Sequence, residues 1–273
     1  MPEQNYTKSR RQARGNDRNP RRAGRNSGRR TEDSGAPAVL YGWHTVKAAL
    51  ENPQRRVLRV LATENAARRL QEEGVALPVA PELVRPSVID ARLGPDAVHQ
   101  GLLAEAEPLE GGAIEDISDG MVLVLDQITD PHNVGAILRS AAAFAVRAVV
   151  LTARHSPEAT GVLAKSASGA LEYVPLIAVQ NLARGMEALK NQGFLVVGLD
   201  STGDTDLAQL PLRAPLALVL GAEGKGLRQL TRATCDHVAR LDLPGAITSL
   251  NVSNAAALSL YIATTRLGSA ASS

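Results

Sequence analysis

Cysteine is almost absent: Cys235 stands alone in 273 residues. One thiol cannot close an internal disulfide, and no cluster of Cys and His has metal-ligand spacing, so neither a disulfide scaffold nor a metal site is expected. Cys235 itself is expected to be a small buried apolar residue rather than a nucleophile. Long apolar runs are also missing; none approaches the roughly 20 residues needed to span a bilayer. The polar, arginine-rich N-terminus lacks the apolar stretch of a secretory signal. These absences point to a soluble, cytoplasmic protein with no membrane partner. No internal repeat is apparent.

What is present is enough apolar material, 44% of residues, to build one large domain or two modest ones. The net charge of +2 conceals an asymmetry. Residues 1–33 carry ten Lys and Arg against four acids, a charge of +6, which leaves −4 on the remainder. This Arg-, Asn- and Gly-rich tail, taken as residues 1–37, has too little apolar surface to fold alone and is expected to be disordered. It reads either as a solubilising extension or as an arm that gains affinity from phosphates by counterion release.

A folded region is expected from near Val39. Residues 41–51 read as a helix, 56–62 as a strand, 64–73 and about 82–92 as helices, and 101–107 as a closing strand. Together, residues 38–107 make a small α/β domain, and the Pro-, Gly- and acid-rich stretch 108–119 is the linker candidate. Beyond it, the runs 121–126, 147–152, 194–199 and 216–221 are short, continuously apolar and rich in β-branched residues. They alternate with helical stretches near 133–145, 158–168, 180–192 and 227–234, before a strand near 237–243 and a helix over 251–267. Strands apolar on both faces with helical crossovers predict a mainly parallel sheet covered by helices.

In such sheets ligands bind beyond the carboxyl ends of the strands, and three blocks there are rich in polar and glycine residues. The first runs from Asp126 to Ser140 and contains DPHNVGAILR. Asp130 can cap the next helix and Pro131 suits its first position. Asn133 and Arg139, six residues apart, do not share one helical face, so they converge only if Asn133 belongs to the loop. Arg139 alone reads as a surface arginine, but its largely apolar helix weakens that reading. The second block, LGAEGKGL, places Glu223 between glycines directly after an apolar strand. Its order is G-x-x-G-x-G, neither a dinucleotide fingerprint nor a P-loop, and it reads as a cofactor loop or a plain turn. The third, PGAITSLNVSN, sets Ser249, Asn251, Ser253 and Asn254 at the start of the last helix, more than one cap requires.

Taken together, the three blocks resemble the SpoU/TrmH family of RNA ribose 2′-O-methyltransferases, through DPHNVGAILRS, LVLGAEGKG and LDLPGAITSLNVSNAAA in order over residues 120–269. The YGWHTVKAAL…VLRVLAT region is similar to the small RNA-binding domain that precedes the catalytic domain in many members, and the nearest subgroup is the one acting on a guanosine of 23S rRNA. The resemblance implies a C-terminal knotted, mainly parallel α/β domain preceded by a small α/β RNA-binding domain. It implies S-adenosyl-L-methionine as cofactor, bordered by Gly221, Leu241 and Leu250, with an apolar slot for adenine at the two leucines. It implies structured RNA, rRNA foremost, as substrate and a homodimer with the site near the subunit interface. Close packing in that dimer and burial within one chain explain the small-residue last helix equally well.

The resemblance also assigns roles. Arg139 would contact the ribose 2′-oxygen, Glu223 and Asn133 would orient Arg139, and Ser249 and Asn251 would complete the polar floor. Electrostatic stabilisation of a developing alkoxide asks less of an arginine than service as a literal base, because a guanidinium holds its proton so firmly. No metal is required. Competing readings are a tRNA ribose methyltransferase, a non-catalytic RNA-binding protein and a nicotinamide-dependent oxidoreductase. The last lacks G-x-G-x-x-G after the first strand, and the intact polar residues argue against a decayed enzyme.

Overall fold

Short apolar segments pair into two sheets in a computed structural model that describes residues 37–94, 96–154, 161–247 and 249–270. The arginine-rich tail and the start expected for a helix at 158 lie outside the described residues.

The smaller sheet has the order β1-β4-β2-β3, from Ala38–Tyr41, Leu102–Ala106, Val57–Ala62 and Glu82–Leu83. Its β2 and β3 run parallel and its other neighbours antiparallel. Helices α1 (Trp43–Glu51), α2 (Glu64–Glu72) and α3 (Pro86–Leu93) join these strands. Two expectations are corrected here. Tyr41 ends a strand rather than opening a helix, because Gly42 takes φ 87° and starts the turn into α1. The helix expected from 82 begins at Pro86, whose ring favours the first helical position, while residues 82–83 pair with β2.

The larger sheet is wholly parallel, with the order β7-β6-β5-β10-β8-β11-β9. Its strands are β5 (Met121–Asp126), β6 (Ala148–Thr152), β7 (Leu176–Val179), β8 (Leu195–Leu199), β9 (Thr205–Asp206), β10 (Leu216–Gly221) and β11 (His237–Arg240). β11 therefore stops at Arg240, short of the expected 243. Helices α4 (Pro131–Ala143), α5 (Gly161–Ala167), α6 (Leu182–Asn191), α7 (Gln229–Thr234) and α8 (Val252–Ala270) connect and flank it. The period-two pleat divides each central strand between two cores. Leu123 and Leu125 of β5 face one cluster with Leu216, Leu218 and Leu220 of β10, while Val122, Val124, Ala217 and Val219 face the other.

The segment 108–119 contributes Ile114 and Ile117 to the second of these cores, so it is anchored rather than loose. The first core continues into the smaller sheet through Leu40, Trp43 and Val46. A buried ion pair reinforces that junction: Arg55 Nη2 meets Glu172 Oε1 at 2.5 Å, and Asn52 Nδ2 donates to Glu172 Oε2 at 2.8 Å. Arg55 also donates to the Glu107 carbonyl at 2.8 Å.

Candidate active site at the strand ends

In strand order β10 separates β5 from β8, so the chain leaves the sheet in opposite directions on either side of it. Loops after β5, β8, β10 and β11 therefore gather at one end of the sheet, where a crevice is expected. The register Gly221↔Asp126 brings the first two blocks side by side. Asp126 is fully buried and ties them together: its Oδ1 accepts from Arg228 Nε at 2.6 Å and its Oδ2 from the Arg228 N–H at 3.0 Å.

Helix α4 begins as its sequence dictates. The Asp130 side chain accepts from the His132 N–H at 3.0 Å, Pro131 follows, and Val134, Ile137, Leu138 and Ala141 form the buried stripe. Asn133 thus sits in the first helical turn, not in the loop. Gly135 lets α5 approach closely, since a Cβ there would lie 2.8 Å from the Ala167 nitrogen. Helix α8 buries Val252, Ala256, Ser259, Leu260 and Ala263 within the chain and leaves Tyr261 exposed.

Asn251 joins all three blocks. Its Oδ1 accepts from the Ser253 N–H at 2.9 Å and from Ser253 Oγ at 2.6 Å, capping α8. Its Nδ2 donates to Asn133 Oδ1 at 3.1 Å and to Glu223 Oε2 at 3.4 Å. One amide therefore serves as cap and as bridge. Arg139 stands apart: it is exposed on α4 and its side chain forms no hydrogen bond or ion pair with a described residue. The structure thus does not bring Glu223 and Asn133 onto Arg139. The helical geometry that puts six residues out of phase accounts for this.

Beside the trio lies a cavity of about 510 Å³, within the range of small-molecule sites. Gly221, Leu241 and Leu250 line it, as do Glu223 and Ser249. The glycines are there for close approach. A Cβ on Gly221 would strike the Gly226 backbone, and Gly224 and Gly226 adopt φ 74° and 64°. Apolar walls, main-chain groups and a glycine cradle suit a purine nucleoside. No group of three metal-ligating side chains occurs among the described residues.

The sequence reading missed Asp200 and Thr202, which line the same cavity after β8. Asp200 Oδ1 accepts from the Thr202 N–H at 2.9 Å and Thr202 Oγ1 at 2.7 Å. Arg232 Nη1 lies 3.3 Å from the same oxygen. Burial pushes the Asp200 carboxyl upward, but the bonds from Thr202 and Leu227 and the Arg232 charge outweigh it and hold the group below the usual aspartate value. Cys235 is a poor nucleophile here: burial, foremost, pushes its thiol up to about 12.

The description "SpoU rRNA Methylase family" matches residues 120–261, and "RNA 2'-O ribose methyltransferase substrate binding" matches residues 39–111. The chain is 40% identical over 236 residues to the 23S rRNA (guanosine-2'-O-)-methyltransferase RlmB of Pseudomonas aeruginosa, a match covering 81% of this chain and 94% of that relative. RlmB of Vibrio vulnificus is 38% identical over 237 residues, again covering 81% and 94%. Among solved structures, the SpoU methyltransferase AviRb from Streptomyces viridochromogenes, in complex with the cofactor AdoMet, matches with a TM-score of 0.71 at 25% identity. That match covers 85% of this chain and 90% of the other.

Proposed function

The chain belongs to the SpoU rRNA methylase family, and we propose that it methylates the ribose 2′-hydroxyl of a guanosine in 23S rRNA. It is an RNA 2′-O-methyltransferase, and its cofactor is S-adenosylmethionine. The observation that carries the site assignment is the Asn133–Asn251–Glu223 trio at the edge of the cavity lined by Gly221, Leu241 and Leu250.

The cofactor supplies an electrophilic methyl group, so the chain's task is orientation and proton handling. Gly221 main-chain groups and the Leu241 and Leu250 side chains, which line the cavity, would hold the adenine end. Arg139 approaches the ribose 2′-oxygen and stabilises the negative charge that develops as the hydroxyl proton passes to solvent water. Its lack of partners among the described residues leaves the guanidinium available to RNA. Asn133 and Glu223, linked through Asn251, form the polar floor together with Ser249.

Residues 38–107 hold RNA in this reading, residues 108–119 connect, and residues 120–269 carry out transfer through a knotted C-terminal segment. A homodimer belongs to the same proposal, supported by the exposed Tyr261 on the small-residue helix α8. So does a cytoplasmic setting; among the described residues no helix is long and apolar enough to cross a membrane.

The decisive experiment is mass-spectrometric mapping of ribose methylation in rRNA and tRNA from a strain lacking this protein. Loss of one 2′-O-methylguanosine in 23S rRNA is the expected result. Loss of a tRNA mark instead would redirect the substrate assignment, and a full set of marks would overturn the reading.

A further inference from the structure

Asp200 is a carboxylate lining the cofactor cavity with one oxygen saturated and the other only lightly engaged. Its side chain is 13% exposed. Oδ1 is fully engaged by the Thr202 N–H, the Thr202 hydroxyl and Arg232. Arg232 in turn donates to Thr202 Oγ1 at 2.9 Å and to the Thr202 carbonyl, so this brace is closed on itself. Oδ2 receives a single long bond among the described residues, from the Leu227 N–H at 3.4 Å. Space beside Oδ2 is kept open by Gly226, where a Cβ would come within 2.6 Å of that oxygen. A carboxylate oxygen accepts two hydrogen bonds and donates none when ionised. Oδ2 therefore keeps one accepting position on a braced side chain that lines a ligand-sized cavity.

The strand order says which part of a ligand it meets. Across the sheet from β5 to β11, Asn133 follows β5, Glu223 follows β10, Asp200 follows β8, and Leu241 follows β11, as does Asn251, which reaches back to the first two. Asp200 is thus interposed in strand order between Asn133 and Glu223 on one side and the apolar slot at Leu241 on the other. In S-adenosylmethionine the ribose lies between the sulfonium and the adenine, and its two hydroxyls are the donors at that position. We propose that Asp200 is a cofactor-binding residue whose Oδ2 accepts a hydrogen bond from a ribose hydroxyl of S-adenosylmethionine, with Thr202 and Arg232 as its positioning residues. The proposal rests on the cofactor assignment and adds the side chain that recognises the sugar. Cofactors or fragments lacking the diol are discriminated against by this one group.

A purely structural Asp200, serving only to brace the turn at Thr202, makes a different prediction. The test is calorimetric affinity of the full chain for S-adenosylhomocysteine and for its 2′-deoxy and 3′-deoxy ribose analogues. Wild-type protein is expected to bind at least one deoxy analogue roughly ten- to a hundredfold more weakly, as for a lost charge-assisted bond. Asp200→Asn is expected to weaken binding of the parent compound by a comparable factor. In that variant the ratio between parent and deoxy analogue should collapse to within about threefold. Asp200→Ser, a second variant that keeps a small polar group at the turn, should show the same collapse, and melting temperatures check that both are folded. Equal binding of all three compounds by the wild type overturns the proposal, as does a wild-type ratio retained in both variants. Failure of the wild type to bind S-adenosylhomocysteine at all would instead overturn the cofactor assignment beneath it.

Discussion

Two polar networks in this molecule are built from similar groups and do opposite things. At the junction between the sheets, Arg55, Glu172 and Asn52 are bonded to one another out of water, with side chains of the ion pair 4% and 2% exposed. At the strand ends, Asn251 links Asn133 to an exposed Glu223, and Arg139 stands free on the next turns of α4. The first network has spent its donors and acceptors on the protein. The second keeps capacity for a ligand. A satisfied buried network specifies how elements sit together, whereas one with open valences beside a cavity is organised for recognition. The comparison predicts that damage to the first will appear as lost stability and damage to the second as lost turnover.

The largest effect should come from Glu172→Ala. Removing the carboxylate strands the Arg55 guanidinium in the junction, where breaking one partner of a buried pair costs about 3–5 kcal/mol. Urea denaturation should register that loss, and turnover per folded molecule should stay near wild type. A drop below about 1 kcal/mol would mean water reaches Arg55 readily and that the contrast between the networks is overstated.

Arg139→Ala should do the reverse. Loss of a preorganised charge at a developing oxyanion lowers turnover by about 10²–10³-fold, while cofactor affinity changes within a few-fold and the melting temperature holds. Arg139→Lys should rescue little, because a compact ammonium lacks the planar guanidinium fork that presents paired donors to an oxygen. Near-normal turnover in folded Arg139→Ala would remove it from the chemistry.

Asn251 lies on the boundary, since it caps a helix and bridges the site. Asn251→Ala forfeits both, with a cap loss of about 0.5–2 kcal/mol. Asn251→Asp separates them: the acceptor that caps α8 survives, but the donor to Asn133 and Glu223 is gone and a second carboxylate faces Glu223. That variant should melt closer to wild type than Asn251→Ala while losing turnover comparably. If it keeps full activity, the bridge is dispensable.

How much of this was readable beforehand differs between the two networks for a physical reason. The site is local in sequence: DPHN, GAEG and SLNVS are each contiguous, and short-range spacing and turn chemistry mark them. Continuous apolar runs likewise announced β5 and β10, which are buried along almost their whole length. Arg55 and Glu172 are 117 residues apart, and nothing local in either segment betrays the pairing. Asp200 escaped for a related reason. One acid after a strand reads as a turn, and its significance comes from β8 lying between β10 and β11, an order the chain does not follow. The missed strands β1, β3, β7 and β9 are four, two, four and two residues long, too short for periodicity to register.

Both regions of the larger sheet contain an aspartate held below its usual pKa, and acid should loosen them together. For Asp236, as for Asp200, burial raises the value but is outweighed, here by Lys190 at 2.7 Å and the Val196 N–H at 2.9 Å. A carboxyl with a depressed folded value binds protons first in the unfolded chain as pH falls. Its stabilisation is therefore complete above the ordinary aspartate value of about 3.9 and is lost as pH drops through the lower folded value. Urea midpoints should decline below that point, and Asp236→Asn should flatten the acid limb. A midpoint that rises on acidification would contradict the sign.

The smallest effect concerns the charge difference between the N-terminal tail and everything after it. Deleting residues 1–33 removes ten cations and four anions and leaves a body of formal charge −4. If the tail is a phosphate-binding arm, the truncated enzyme binds RNA more weakly at low salt. The slope of log affinity against log salt should flatten by about 0.7–0.9 for each phosphate that the tail neutralises. Turnover at saturating RNA should change little, because Arg139, Asn133, Glu223 and Asn251 all lie beyond the deletion. Site choice should persist as well, since binding to phosphates carries little sequence information. Measuring affinity across a salt series for both forms is sufficient. Identical slopes would leave the tail a solubilising extension and place the whole RNA-binding affinity in the folded body, despite its negative charge.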